Sequence, residues 1–341
     1  MLKKLTSEAY FTLRITTTGP LLIKTGHASI SGPDMTPVLT FRNGQQEVFL
    51  PGSSLKGVFR SHLEKIICSL KQRVVCYPFS SDAQEADLAQ RRRDYLDSCG
   101  ARFVERTRDD KEKKRLEERT DLVYADCCPT CRLFGSFGFI GRVAIGDAYL
   151  VSKEIKELRD GVGIDRLTGG ASHGAKFELE VVSTGVVFET DIHLRNFEVW
   201  QLGMLFVVLQ DMEDELIRIG SGRSRGLGKV KGEISTEAKN GRPGGLVTSI
   251  IRDSGEPDNE LWGLGRWLKQ WSDEGGYGTW PDDQIELSLP GERSNHGIRR
   301  LRIFNGEALN TLRDATIDQF SRRMSDWPPP SVKGLNRVRG R

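Results

Sequence analysis

The chain opens on a period of two. Residues 9–18 (AYFTLRITTT) alternate between apolar and polar positions and are rich in β-formers, which predicts a strand. LLIKTG adds a second short apolar run, and Gly32-Pro33-Asp34 in the following loop is turn chemistry. PVLTF and EVFLPG flank Asn43-Gly44, the pattern of a tight hairpin. The period then lengthens to about 3.6. In SSLKGVFRSHLEKIICSLKQRVV, Leu55, Val58, Phe59, Leu63, Ile66 and Ile67 recur at helical spacing behind serine caps. Lys56, Arg60 and Lys65 fall on the opposite side from most of them.

Periodicity lapses over 80–121, where QRRRDYLDS and RTRDDKEKKRLEERTD are nearly all charge, so an inserted polar lobe is expected over 76–131. Beyond it, RVAIGDAYLV predicts a strand, FELEVVSTGVVFETDIHL a hairpin, and FEVWQLGMLFVVLQDMEDE a second amphipathic helix. IGSGRSRGLGKVKGEI is a glycine-rich loop running into a strand. This order predicts an α+β fold, a split βαβ ferredoxin-like sheet over 1–235. From 236 the texture changes. A linker, NGRPGG, leads to Trp262, Trp267, Trp271 and Trp280, a strand pair near 284–304, a helix over 307–325 and a basic tail with Lys333, Arg337, Arg339 and Arg341. Residues 236–341 are therefore expected to form a C-terminal extension, its tryptophans serving as core, subunit contact or stacking surface.

Composition narrows the class. With 37% hydrophobic and 28% charged residues, the chain reads as an ordinary soluble globular protein. The absence of an eighteen-residue apolar run, and of a secretory pattern in MLKKLTSEAYF, leads to an expectation of a cytoplasmic protein without membrane contact. A net charge of +3 does not itself point to a polyanion, but the clustering of Arg218, Arg223 and Arg225 suits one polyanion-facing surface.

Five of the six cysteines fall between Cys76 and Cys131. In a cytosolic chain that clustering favours metal over disulfides. Cys128-Pro129-Thr130-Cys131 has knuckle spacing, and with Cys76 and Cys99 it offers four sulfurs to a tetrahedral zinc that would staple the polar lobe. A redox pair or unrelated buried thiols are the alternatives, with Cys127, His62 and His27 as substitute ligands. In the loop 219–230, small residues let the backbone approach phosphate while Arg223, Arg225 and Lys229 contact it; neither a Walker nor a dinucleotide frame is present. PGSSLKG places Ser53, Ser54 and Lys56 at a helix start, where anion binding and simple capping are both served.

Taken together, PGSSLKGVFR, CRLFGS after the knuckle, IDRLTG at 164–169 and GSGRSRGLG resemble the RAMP superfamily. More narrowly, they resemble the cysteine-bearing backbone subunits of type III CRISPR effectors, over about residues 9–235. The resemblance implies an RRM-like core lying along a guide RNA (crRNA), among neighbouring RAMP subunits and other effector subunits. It implies a thumb hairpin at 152–180, with Arg166 and Lys176 beside Ile164 and Leu167, wedged into the guide–target duplex. Ser53, Ser54, Lys56, Arg60, Arg223, Arg225 and Lys229 complete the implied RNA-binding set. Asp34 stands where the family's cleaving subunits carry the aspartate that cuts target RNA with Mg or Mn. A non-cleaving structural subunit, or a guide-processing ribonuclease built on a histidine, are the other readings. His27, the histidine nearest Asp34 in the chain, is the one to test before His62, His173 and His193.

Overall fold

The computed structural model describes residues 4–24, 33–78, 95–239, 241–251, 255–272 and 276–327. His27, most of the charged run before Tyr95, and the basic tail with Lys333, Arg337, Arg339 and Arg341 lie outside the described residues.

Strand β1 (Ser7–Thr17) precedes the hairpin β2 (Leu39–Arg42)–β3 (Gln45–Leu50), whose turn residues Asn43 and Gly44 both take positive φ, as the Asn-Gly signal requires. Helix α1 (Gly52–Leu70) follows, then α2 (Cys99–Arg106), α3 (Asp110–Glu118), α4 (Thr120–Asp126) and α5 (Pro129–Phe134). Next come the small hairpin β4 (Gly135–Ser136)–β5 (Phe139–Ile140), strands β6 (Val143–Ile145) and β7 (Ala148–Leu150), and the ribbon β8 (Lys156–Ile164)–β9 (Ala171–Val182). Strand β10 (Val187–Arg195), helix α6 (Val199–Glu213) and β11 (Val230–Ile234) complete the first part.

Within the sheet, β11 and β10 flank β1, and β6 flanks β10, every pair antiparallel. The order β11–β1–β10–β6, with α1 and α6 as the two crossovers, is the ferredoxin-like arrangement the element order predicted. The ribbon β8–β9 is inserted between the third and fourth elements of that core. Strands 177–182 and 187–194 both form, but they do not pair as a hairpin: β9 takes β8 as its partner, while β10 pairs with β1, β6 and β7.

Helix α1 buries Leu55, Phe59, Leu63 and Ile67, one residue per turn. Serine does not cap it. Pro51 is the N-cap, and the first amide, Gly52 N–H, donates to Asp147 Oδ1 at 2.7 Å from the break between β6 and β7. A Cβ at position 52 would lie 2.5 Å from the Ile145 carbonyl oxygen, so glycine is what allows this approach.

The C-terminal third extends the same sheet. Strands β12 (Leu246–Ile251), β13 (Glu260–Trp262), β14 (Gln284–Glu286), β15 (Glu292–His296) and β16 (Arg299–Phe304) accompany helices α7 (Leu264–Gln270) and α8 (Gly306–Ser325). β12 pairs with Ser7–Tyr10 of β1, while β11 pairs with Leu13–Thr17, so two strands share one long edge. β16 and β15 then continue the ten-stranded sheet outward. The change of texture at 236 is thus not a break in the core. Trp262, Trp267 and Trp280 are buried, and Trp271 is partly buried against the first two, so these side chains serve packing.

α6 departs from its expected amphipathic form. Val199, Trp200, Leu202, Met204, Leu205 and Phe206 are all buried, because α8 covers the side turned away from the sheet. The two helices cross at Gly203, where a Cβ would sit 2.1 Å from the Thr316 carbonyl oxygen.

A buried polar network joins these parts. Asp283 accepts Val199 N–H at 2.9 Å and Gly265 N–H at 3.1 Å, capping α6 and α7 with one carboxylate. Burial, and then the charge of nearby Glu198, push the Asp283 carboxyl up to about 8 from an ordinary 3.8. The unfolded chain ionises this group near 3.8 while the folded one holds its proton to about 8, so its contribution is complete below the lower value and is lost as pH rises through the upper. Asp283→Asn is therefore expected to flatten the fall in stability between about pH 5 and pH 8, measured by urea denaturation across that range.

Candidate metal centre and nucleic-acid interface

Four cysteines from three separated stretches converge. Cys76 follows α1 after the buried Val74 and Val75, Cys99 is the first residue of α2, Cys128 is the N-cap of α5, and Cys131 sits in that helix. All four are buried, and their sulfurs lie within 4.8 Å of one another. Cys76 Sγ and Cys131 Sγ are 3.5 Å apart, far longer than a disulfide, and none of the six cysteines is in a disulfide. Sulfurs on a tetrahedral zinc are separated by about 3.8 Å, given Zn–S bonds of about 2.3 Å. The donor set can hold a structural metal such as zinc.

The surroundings suit bound thiolates. Arg60 Nη2 donates to Cys131 Sγ at 3.2 Å, Arg102 Nη2 to Cys99 Sγ at 3.2 Å, and Cys128 N–H to Cys99 Sγ at 3.3 Å. These are the second-layer donors that hold ligands in place and offset their charge. Burial alone would ease the proton off Arg60, yet the Cys131 sulfur and Glu64 outweigh it and hold the guanidinium charged. Arg60 also donates to Glu64 Oε1 at 2.8 Å and the Gly135 carbonyl at 3.1 Å. It is thus committed to the cysteine cluster. Cys127, the alternative ligand, faces Ser136 Oγ at 3.7 Å and is not one of the four; Cys68 packs against the main core. His62 is spent elsewhere, its Nε2 lying 2.5 Å from Asp211 Oδ2 on α6.

The other candidates divide into paired and open cations. Lys229 pairs with Glu215, and Lys176 with Asp160 at 3.4 Å across the ribbon. Lys56 is half-buried beside Arg60, makes no ion pair among the described residues, and has its pKa lowered by burial first and by the Arg60 charge second. Ser53 is exposed and Ser54 partly so at the start of α1. Arg166 is exposed at the tip of β8–β9, where Asp165 Oδ1 accepts the amides of Leu167 and Thr168 and Leu167 stands 97% exposed.

In the loop 219–230, Arg223 and Arg225 are exposed on a single tight turn flanked by Gly222 and Gly226, both at positive φ. Glycine is required at two further points: a Cβ at 228 would lie 2.1 Å from the Ile219 carbonyl oxygen, and one at 220 would lie 2.3 Å from that of Leu22. The Arg225 guanidinium sits 5.7 Å from the centre of the Phe177 ring on β9. Asp34 is exposed, its Oδ2 accepts the Glu178 amide of the same strand at 2.8 Å, and Oδ1 has no partner among the described residues. The arginine loop, the ribbon and the aspartate loop thus meet along β9. Arg102 was missed from the sequence, although its place three residues after Cys99 puts both on one helical face.

Fold and site together define an α+β protein of ferredoxin-like topology with four clustered cysteines able to hold a metal and an arginine–glycine loop set against an inserted ribbon. The RAMP superfamily model matches residues 14–231, more than half the chain, and the protein belongs to the RAMP superfamily. No curated protein matches it in sequence. No helix among the described residues is long and apolar enough to cross a membrane.

If the two arginines serve the sulfurs, Arg60→Ala and Arg102→Ala should each weaken metal retention by about 10- to 100-fold. Zinc release to a competing chelator measures this, with Lys65→Ala, exposed on α1, as the variant expected to behave as wild type.

Proposed function

We propose that this chain is a guide-RNA-binding backbone subunit of a type III CRISPR ribonucleoprotein, and that Asp34 cleaves the paired target RNA. Membership of the RAMP superfamily supports the class. The observation that carries the reading is the hydrogen bond from Glu178 N–H to Asp34, which sets an exposed carboxylate against a ribbon whose tip bears Arg166 and the fully projecting Leu167. In this reading β8–β9 is the thumb: apolar tip residues part the stacked bases while Arg166 holds phosphate. Arg223, Arg225, Lys56 and the amides and hydroxyls at Ser53 and Ser54 follow the guide backbone. Lys176, Lys229 and Arg60 contribute less, since each already has a partner.

A divalent ion such as Mg or Mn, when bound, polarises the scissile phosphate and eases departure of the leaving oxygen. Asp34 offers Oδ1 to hold that ion while Oδ2 stays on the Glu178 amide, which fixes the carboxylate plane. The backbone around it holds the target so that the ribose 2′-hydroxyl lies in line with the phosphorus. The 2′-oxygen bonds to phosphorus as the bond to the 5′ oxygen breaks, giving a 2′,3′-cyclic phosphate and a 5′-hydroxyl; the 2′-hydroxyl proton leaves to water and the departing 5′ oxygen takes one from water. Structural zinc in Cys76, Cys99, Cys128 and Cys131 keeps the inserted lobe folded, and the assembly works in the cytoplasm.

One observation favours the non-cleaving alternative: half of the Asp34 carboxylate is already occupied by a structural hydrogen bond. For a guide-processing ribonuclease, His62 is taken up by Asp211 and His193 lies 3.0 Å from Glu8, while His27 lies outside the described residues.

Asp34→Ala in the assembled complex should remove the cut made by this subunit, by at least about 100-fold, without altering guide loading. End-labelled target RNA resolved on a denaturing gel reads the first, and co-purified guide the second. Unchanged cutting would assign the chain to the structural class.

A further inference from the structure

The residue after the proposed cleaving group is held more firmly than that group itself. Met35 forms a bridge to Leu179 of β9: Met35 N–H donates to the Glu178 carbonyl at 3.3 Å, and Glu180 N–H donates to the Met35 carbonyl at 2.9 Å. Its side chain packs with Leu179 against a small satellite core of Leu22, Val181 and Leu227, separate from the main one. These few residues come from four places: the aspartate loop, β9, the segment after β1, and the arginine–glycine loop.

The backbone ties the same four together. Leu21 and Val182 exchange amide hydrogen bonds at 2.8 Å each way, Ser221 N–H donates to the Leu22 carbonyl at 2.7 Å, and Gly228 N–H to the Pro20 carbonyl at 2.7 Å. Residues 20–22 therefore clamp β9 on one side and the arginine loop on the other. Phe177, Leu179 and Val181 alternate along one face of β9. Phe177 lies across Gly161 of β8, where a Cβ would fall 2.2 Å from the ring, and presents the ring to Arg225. Asp34 and Arg225 are thus two attachments to a single strand, Asp34 through Glu178 and Arg225 through its immediate neighbour Phe177.

We propose that Met35 is a positioning residue: by seating the aspartate loop on β9 and in the satellite core, it fixes the reach between Asp34 and the phosphate-binding Arg225. This rests on the reading of Asp34 as the cleaving group. In this role Met35 acts through the loop rather than on RNA or metal. Its side chain sets where a neighbouring carboxylate stands, and a displacement on the order of 1 Å at such a point is worth up to about 100-fold in rate.

The test uses the assembled complex with bound guide. Met35→Ala should slow target cutting about 10- to 100-fold at saturating target and raise the Mg concentration needed for half-maximal rate, with guide loading and target affinity within about 2-fold of wild type. Met35→Leu, which refills the satellite core, should restore the rate to within about 2-fold. Hydrogen exchange gives a second reading that needs no activity: in Met35→Ala the amides of Glu178 and Glu180 should exchange on the order of 10-fold faster, with Val182 unchanged. Cutting by Met35→Ala at the wild-type rate overturns the proposal, as does loss of guide loading in step with cutting, or a leucine variant no better than alanine. If Asp34→Ala cuts as well as wild type, the functional reading fails by itself; the exchange measurement then still decides, and unchanged protection at Glu178 and Glu180 overturns the seating role of Met35.

Discussion

Glu198 is a carboxylate taken wholly out of water, and the groups that answer it come from each major part of the molecule. Arg132, equally buried, approaches from the cysteine helix α5 at 3.6 Å. Tyr124 of α4 donates its hydroxyl at 2.6 Å and in turn accepts from Gln201 at 3.0 Å. Glu198 and Gln201 close a capping box on α6, and Asp283 from the C-terminal third takes the next amide of the same helix. Removing one member of such a buried set strands the others in a low-dielectric interior, at a cost of about 3–5 kcal/mol. The inserted lobe, the ferredoxin-like core and the C-terminal third are therefore held in one arrangement by charge as well as by apolar packing.

The lobe packs Leu122, Val123 and Tyr124 of α4 into a second apolar cluster with Leu264 and Leu268, but its outer helices have little to hold them. Helix α3 buries a single residue, Leu116, and α2 buries only Cys99. Beside that cluster, order comes from the four sulfurs, from Arg102 and Arg106 reaching Asp126, and from Arg132 passing beneath to the Gly278 carbonyl. The same economy governs the proposed nucleic-acid-facing side, where pairing sorts the cations. Those answered by acids or sulfurs shape the protein, and Arg166, Arg223, Arg225 and Lys56, which make no ion pair among the described residues, are the ones proposed to meet RNA.

Local signals were legible and distant ones were not. The Asn43-Gly44 hairpin, α1 and the Cys128–Cys131 pair could be read because turn chemistry, helical period and knuckle spacing act within a few residues. The covering of α6 could not, since the residues that bury its outer face lie a hundred positions later in α8. The capping of α1 by Asp147 and the pairing of β9 with β8 were hidden for the same reason. Arg60 read as an RNA contact because a sequence shows the charge of a side chain and not the sulfur beside it; Lys229 and Lys176 differ from Arg223 only through Glu215 and Asp160. Asp34 could be picked out through the family resemblance, whereas its attachment to Glu178 is a fact of the folded chain.

The shared edge of β1 carries one more implication. Because Ser7–Tyr10 hydrogen-bonds to β12 and the outer face of α6 lies under α8, a polypeptide ending where the family match ends would leave a row of unanswered amides beside a naked apolar helix. Such a fragment would stick to its own kind through strand edges and greasy surface. The last third of the chain is what keeps the family-matched core from becoming adhesive.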